Sequence, residues 1–194
     1  MRKIILSINI TNDDFIAGPD GSLDWHLPYW NDEMCEALGK LLHTCDTLLL
    51  GRNTYNAFAG YWIIKRNDLS IAKADLALAE MMNRYTKIVV SKTLAQTPWT
   101  NSLLLQQNIL RQLKKLKEKP GKNIIVLGSC QLAAYLIQHN LIDEYYLWLH
   151  PITIKHGKAL PQLIQSLAGS KIIQSEEFTC GVVKRGYVKQ PIGV

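Results

Sequence analysis

The chain has 194 residues, 47% of them hydrophobic and 20% charged, with a formal net charge of +6. These values exclude a disordered polyelectrolyte, and the length suits one sizeable core rather than two domains. No apolar stretch is long enough to cross a bilayer. The four cysteines (Cys35, Cys45, Cys130, Cys180) show neither a CxxC pair nor zinc spacing, so free thiols, no metal, no membrane and a cytoplasmic location are expected.

The opening MRKIILSINI places two cations before a short apolar run. Ser7 and Asn9 interrupt that run and no small-residue cleavage site follows, so Lys3 to Ile10 reads as a buried strand rather than a secretion signal. Asp13, Asp14, Gly18, Pro19, Asp20 and Gly21 mark a loop region around the apolar Phe15-Ile16-Ala17. Trp25-His26-Leu27-Pro28 precedes a helix from about Trp30 to Leu42, with Asn31 or Asp32 as its cap. Thr47 to Leu50 has the pattern of a strand buried on both faces. Gly51 ends it, and Arg52, Asn53 and Thr54 open a helical segment. A helix start offers unpaired N–H groups and partial positive charge, and a guanidinium adds a fork that matches phosphate oxygens. The physical reading is an anion site, most simply for a nucleotide phosphate. The alternative is a strand–turn–helix corner with a solvated arginine.

Ala59-Gly60-Tyr61-Trp62 reads as an aromatic turn and Ser70 to Arg84 as a helix. Lys87 to Val90 is a short buried strand with Ser91-Lys92-Thr93 at its carboxyl end. Pro98 to Ser102 reads as a loop, and Ile109 to Lys117 as a helix stopped by Pro120-Gly121. Much of the positive excess lies in Arg111 to Lys122. A solvated basic face is favoured there over nucleic-acid binding. Asn123 to Leu127 is a third buried strand, and Gly128-Ser129 turn the chain into a helix over Gln131 to His139. Such a turn lets backbone amides approach a pyrophosphate, although it is neither a GxGxxG fingerprint nor a Walker loop. Cys130, at the helix start, is a candidate for a lowered pKa, but with no partner base in the sequence a packed or idle thiol is favoured over a nucleophile. Tyr145 to Leu149 presents two distinct strand faces, with His150 and His156 beyond as tempting acids against a structural reading. Lys171 to Phe178 and Gly181 to Val188 form a terminal antiparallel pair. The expected fold is α/β: one domain over residues 1–194 with a mostly parallel sheet, a C-terminal antiparallel hairpin and ligands at the carboxyl ends of the strands.

Leu50-Gly51-Arg52-Asn53-Thr54-Tyr55 resembles the segment with which dihydrofolate reductases hold the 2′-phosphate end of NADPH. It is also similar to the C-terminal reductase domain of the riboflavin-biosynthesis deaminase-reductase. IILSINITNDDFIAGPDGSLDW, KIVVSKTL, the Gly128 turn and LIDEYYLWLHPI extend the resemblance from Met1 to about Leu160. It implies a three-layer dihydrofolate reductase-like fold and NADPH as cofactor. It further implies a small heteroaromatic, pyrimidine- or pterin-like substrate and a homodimer. On that resemblance Ser7, Ile16 and Ala17 neighbour the nicotinamide. Arg52 pairs with the 2′-phosphate beside Gly51, Asn53 and Thr54. Ser91 and Lys92 support the adenosine end, and Gly128, Ser129, Cys130 and Gln131 cradle the pyrophosphate. Trp25, Trp30, Tyr55 and Trp62 are candidates for a flat substrate wall.

Several positions depart from the family pattern. Asp14 stands where glycine is usual, and a glycine common around Lys155 is absent. Ser129 replaces a second glycine and Ala133 an aromatic. The family's substrate carboxylate falls on Trp30. Asp32 and Glu33 come two and three residues late, which rotates them far around a helix. Dihydrofolate reductase activity itself is therefore not expected. Asp32 remains the acid candidate, against a plain helix-start carboxylate. With no deaminase segment in the chain, a full bifunctional enzyme is not expected either. The two readings carried forward are an NADPH-dependent reductase and a non-catalytic nucleotide-binding module of the same fold.

Overall fold

Strand β1 (Ile4–Thr11) organises the fold because its two faces differ. Ile4, Leu6, Ile8 and Ile10 enter one core cluster, while the alternate positions are Ile5 and then the polar Ser7, Asn9 and Thr11. The period of two in a strand puts those polar groups on one face. In this computed structural model, residues 1–65 and 73–189 are described.

In chain order, β1 is followed by β2 (Phe15–Ala17), a 3₁₀ segment (Asp24–Tyr29), α1 (Asp32–His43), β3 (Cys45–Gly51), α2 (Arg52–Lys65), α3 (Lys73–Arg84) and β4 (Thr86–Val90). Then come β5 (Ser102–Leu105), α4 (Ile109–Glu118), β6 (Asn123–Leu127), α5 (Cys130–Gln138), β7 (Glu144–His150), β8 (Lys158–Ala159), α6 (Pro161–Leu167), β9 (Lys171–Glu177) and β10 (Val183–Val188). The main sheet has the order β5-β4-β3-β6-β1-β7-β10-β9. Strands β5 to β7 are mutually parallel, and β10 runs antiparallel to both β7 and β9. One core cluster joins the sheet to Leu113 of α4, Leu136 of α5 and Leu163 of α6. Another joins its opposite face to Leu42 of α1, Tyr55 of α2 and Met82 of α3. The result is a three-layer α/β fold with a mostly parallel sheet and a C-terminal antiparallel hairpin, as the sequence predicts.

Several local expectations change. The predicted turn at Ala59–Trp62 lies inside α2, which runs through Gly60. β5 begins at Ser102, where a loop is predicted. The small β2–β8 sheet, too short to leave a period, was not predicted. Residues 70–72 of the predicted Ser70–Arg84 helix lie outside the described residues. Asn31, rather than Asp32, caps α1 by accepting from the Met34 N–H at 3.0 Å. Two of the missing glycines fall on left-handed backbone, Asp14 at φ 64 and Lys155 at φ 64. The backbone N–H of Lys155 and one Asp13 carboxylate oxygen, 2.8 Å apart, tie the two turns together.

Lys87 of β4 is fully buried. Its Nζ donates to the Met82 and Asn83 carbonyls at 3.1 and 2.8 Å, closing the end of α3, and lies 4.4 Å from the Trp99 ring centre. Burial lowers its pKa to about 8.

Candidate functional site

The carboxyl ends of β3 and β6 meet through one hydroxyl. Ser129 Oγ accepts from the Gly51 N–H at 3.0 Å and donates to Thr54 Oγ1 at 2.8 Å. A Cβ on Gly51 would stand 3.1 Å from that oxygen, so glycine allows the approach. Gly128 and Ser129 both have positive φ, 62° and 61°. The Gly128 N–H donates to the Ser7 carbonyl at 3.0 Å, which ties this turn to β1. Serine therefore adopts the conformation a second glycine would take more freely, and its hydroxyl joins two strand ends.

Arg52, exposed at the start of α2, donates from Nη1 to Thr93 Oγ1 at 2.7 Å and from Nε to Asn53 Oδ1 at 3.3 Å. This brings the β3–α2 corner against the turn after β4. Within that turn the buried Ser91 hydroxyl accepts from the N–H groups of Thr93 and Leu94 at 3.2 and 3.0 Å. Its oxygen shapes the turn, and Lys92 and Thr93 stand exposed beside it. Gln131 is exposed on the first turn of α5. Cys130 does not have the lowered pKa that a helix start could give it, in keeping with a packed thiol. Burial pushes its thiol up, against a smaller downward pull from Lys158.

Lys158 was missed by the sequence reading. β8 carries it back to β2, and its Nζ lies 2.8 Å from where a Cβ of Gly21 would stand. Ile16 and Ala17 of β2 are buried, Ile16 as part of a core cluster. The buried Ser7 hydroxyl accepts from Trp148 Nε1 at 2.9 Å.

The aromatic candidates separate. Tyr55 does not stand on a substrate wall. It is 2% exposed, its hydroxyl oxygen accepts from the Trp99 N–H at 2.9 Å, and its ring packs beneath α2. Trp62, further along α2, packs on the same core and meets Tyr61 edge-on at 4.8 Å. Trp25 and Trp30 instead bracket His26, with ring centres 6.1 and 6.4 Å from it. His26 Nδ1 is held by the Leu23 carbonyl. Beneath them His150, the last residue of β7, is wholly buried. Its ring centre lies 5.1 Å from Trp25 and 5.6 Å from Tyr29, and its Nε2 is 3.1 Å from Asn9 Oδ1. Burial, reinforced by His26, lowers its pKa to about 4.

Asp32 is exposed on the first turn of α1. Glu33 is committed to the turn between β9 and β10, accepting from the N–H and Oγ1 of Thr179 at 2.8 and 2.9 Å, bonds that lower its pKa. Ala133 is buried in the core. Among the described residues, no group of three or more His, Cys, Asp or Glu could hold a metal ion, and no helix is long and apolar enough to cross a membrane.

Residues 2–184 match the family model of the RibD C-terminal domain, and the chain belongs to that family. It is 31% identical over 186 residues to the uncharacterized protein YyaP of Bacillus subtilis (strain 168), covering 96% of this chain and 94% of that one. A protein of Shewanella sp. PV-4 named for riboflavin biosynthesis has a similar structure, with TM-score 0.71, 19% identity and coverage of 97% and 99%. The diaminohydroxyphosphoribosylaminopyrimidine deaminase/5-amino-6-(5-phosphoribosylamino)uracil reductase of Thermotoga maritima matches with TM-score 0.67 and 14% identity, over 97% of this chain and 57% of that one. Dihydrofolate reductase from Enterococcus faecalis, in complex with NADP(H) and RAB-propyl, matches with TM-score 0.61 and 16% identity over 97% of each chain. The fold is thus that of the dihydrofolate reductase-like reductases.

Proposed function

We propose that this protein is an NADPH-dependent reductase of a small nitrogen heteroaromatic, an aminouracil- or pterin-like ring. It would act in the cytoplasm as a homodimer. The observation that carries this reading is the joined rim, in which Gly51, Thr54 and Ser129 share one hydroxyl while Arg52 reaches Thr93. Such a rim at strand carboxyl ends suits a dinucleotide. Arg52, with Lys92 close by in sequence to Thr93, suits the 2′-phosphate, and the Gly128–Ser129 turn and start of α5 suit the pyrophosphate. The cofactor would supply a hydride, and the protein would orient the ring and exclude water. The solved relatives named for an aminouracil reductase and for a complex with NADP(H) support the same assignment.

A second reading, a non-catalytic nucleotide-binding module, is favoured by one observation. Trp30 stands where dihydrofolate reductases place an acid, Asp32 is exposed and Glu33 is occupied by Thr179. The test is NADPH oxidation, followed by absorbance, with a panel of pterins and aminopyrimidines. Oxidation that requires a panel member is expected. NADPH binding without oxidation by any of them would favour the module, and no NADPH binding would overturn both readings.

A further inference from the structure

Two buried nitrogens at the carboxyl end of β7 have no hydrogen-bond partner, Nδ1 of His150 and Nε1 of Trp25. They belong to one cluster, with the two rings edge to face at 5.1 Å. With the Asn9 amide oxygen 3.1 Å from His150 Nε2, we assign the proton to Nε2, which donates to that oxygen. In the neutral ring, Nδ1 then presents a lone pair. Burial, with His26 adding to it, keeps the ring neutral at pH 7. Trp25 Nε1 is a donor only. One unused acceptor and one unused donor therefore sit within a single aromatic cluster, each bearing the desolvation cost of an unmade bond. Protein interiors seldom leave such groups unpaired.

A planar ring with an acceptor and an N–H side by side on one edge satisfies both. That is the lactam or amidine edge of a pyrimidine-type heterocycle. Its carbonyl or ring nitrogen accepts from Trp25, and its N–H donates to His150. The faces of Trp25 and Tyr29 suit a flat ring. The 3₁₀ segment Asp24–Tyr29, which carries Trp25, has no buried residue and no side-chain cap. One tie from it to the strap after β7 is a long bond from Tyr29 Oη to the Pro151 carbonyl, 3.4 Å.

We propose that His150 Nδ1 and Trp25 Nε1 together read the lactam edge of the heterocycle, and that His150 is the specificity-determining residue. Describing that heterocycle as the substrate rests on the reductase reading; its recognition by the two nitrogens does not.

The probes are uracil and 1,3-dimethyluracil, which keeps the ring and both carbonyls but has no N–H. The full chain is titrated with each while indole and imidazole nitrogen resonances are followed by NMR, with Trp25→Phe identifying the Trp25 signal. Uracil is expected to move the Trp25 indole and one imidazole nitrogen saturably, and dimethyluracil to bind at least about tenfold more weakly. His150→Phe is expected to abolish that discrimination. Equal binding of the two probes, shifts confined to other indoles, or no shift would overturn the proposal. The probe comparison is made on the unaltered chain, so it stands even where a variant fails to fold. Failure of the reductase reading is seen separately, as absent NADPH binding by nucleotide fluorescence.

Discussion

The rim at the ends of β3 and β6 and the aromatic cluster at the end of β7 are built on opposite plans. At the rim, the Ser129 hydroxyl and the Arg52 guanidinium are engaged by neighbours, and the turn positions are held by backbone bonds. At the aromatic end, rings surround a neutral histidine and two buried nitrogens are unpaired. The rim is preorganised, whereas the aromatic end leaves hydrogen-bonding capacity unused. Selectivity for the ring is therefore sought in the second region and nucleotide binding in the first.

The largest expected break concerns Tyr55, placed by the structure in the core instead of on a substrate wall. Tyr55→Ala should cost about 3–5 kcal/mol in denaturant unfolding, as for other buried aromatics. Tyr55→Phe, which removes only the acceptor of the Trp99 N–H, should cost about 1–2 kcal/mol. Neither loss should alter which heterocycle is bound.

Next in size is an acid effect at the aromatic end. The folded pKa of His150 is lowered from 6.5 to about 4. Between those values the unfolded chain binds more protons than the folded one, so stability falls as pH drops through the window and flattens below it. The loss should reach a few kcal/mol, read as a falling urea midpoint between about pH 6.5 and 4. Lys87 titrates in the opposite range. Its folded pKa is lowered from 10.5 to about 8, so its contribution makes stability rise as pH climbs through that interval. His150→Phe should remove the first slope and leave the second.

Smallest are the rim substitutions. Ser129→Ala should cost about 1 kcal/mol through the lost bonds to Gly51 and Thr54. Ser129→Gly should fall within about 0.5 kcal/mol of that variant, because relief at positive φ is offset by greater freedom in the unfolded chain. Thermal unfolding of the two variants gives the comparison.

Legibility in sequence follows the same division. The rim segments are strand–turn–helix corners, whose apolar runs and glycines are local signals, and the Gly51, Arg52, Gly128 and Ser129 stretches are visible as such. The left-handed Asp14 and Lys155 were also marked by departures from glycine. The aromatic end depends on contacts between residues 141 positions apart, as between Asn9 and His150, which no local pattern announces. Tyr55 was misread because a helix shows which residues share a face only once its partner is known, and Trp99 supplies that partner from a distant loop. The two- and three-residue strands β8 and β2 are too short to show a period of two, which is why Lys158 was missed.

The most direct test of the central claim is a fluorescence titration of the protein with NADPH and with NADH, repeated with Arg52→Ala. NADPH should bind at least about tenfold tighter than NADH, with that advantage lost in the variant because a charge-assisted pair to the 2′-phosphate has gone. Equal affinity for both nucleotides, or an NADPH preference that survives Arg52→Ala, would contradict it.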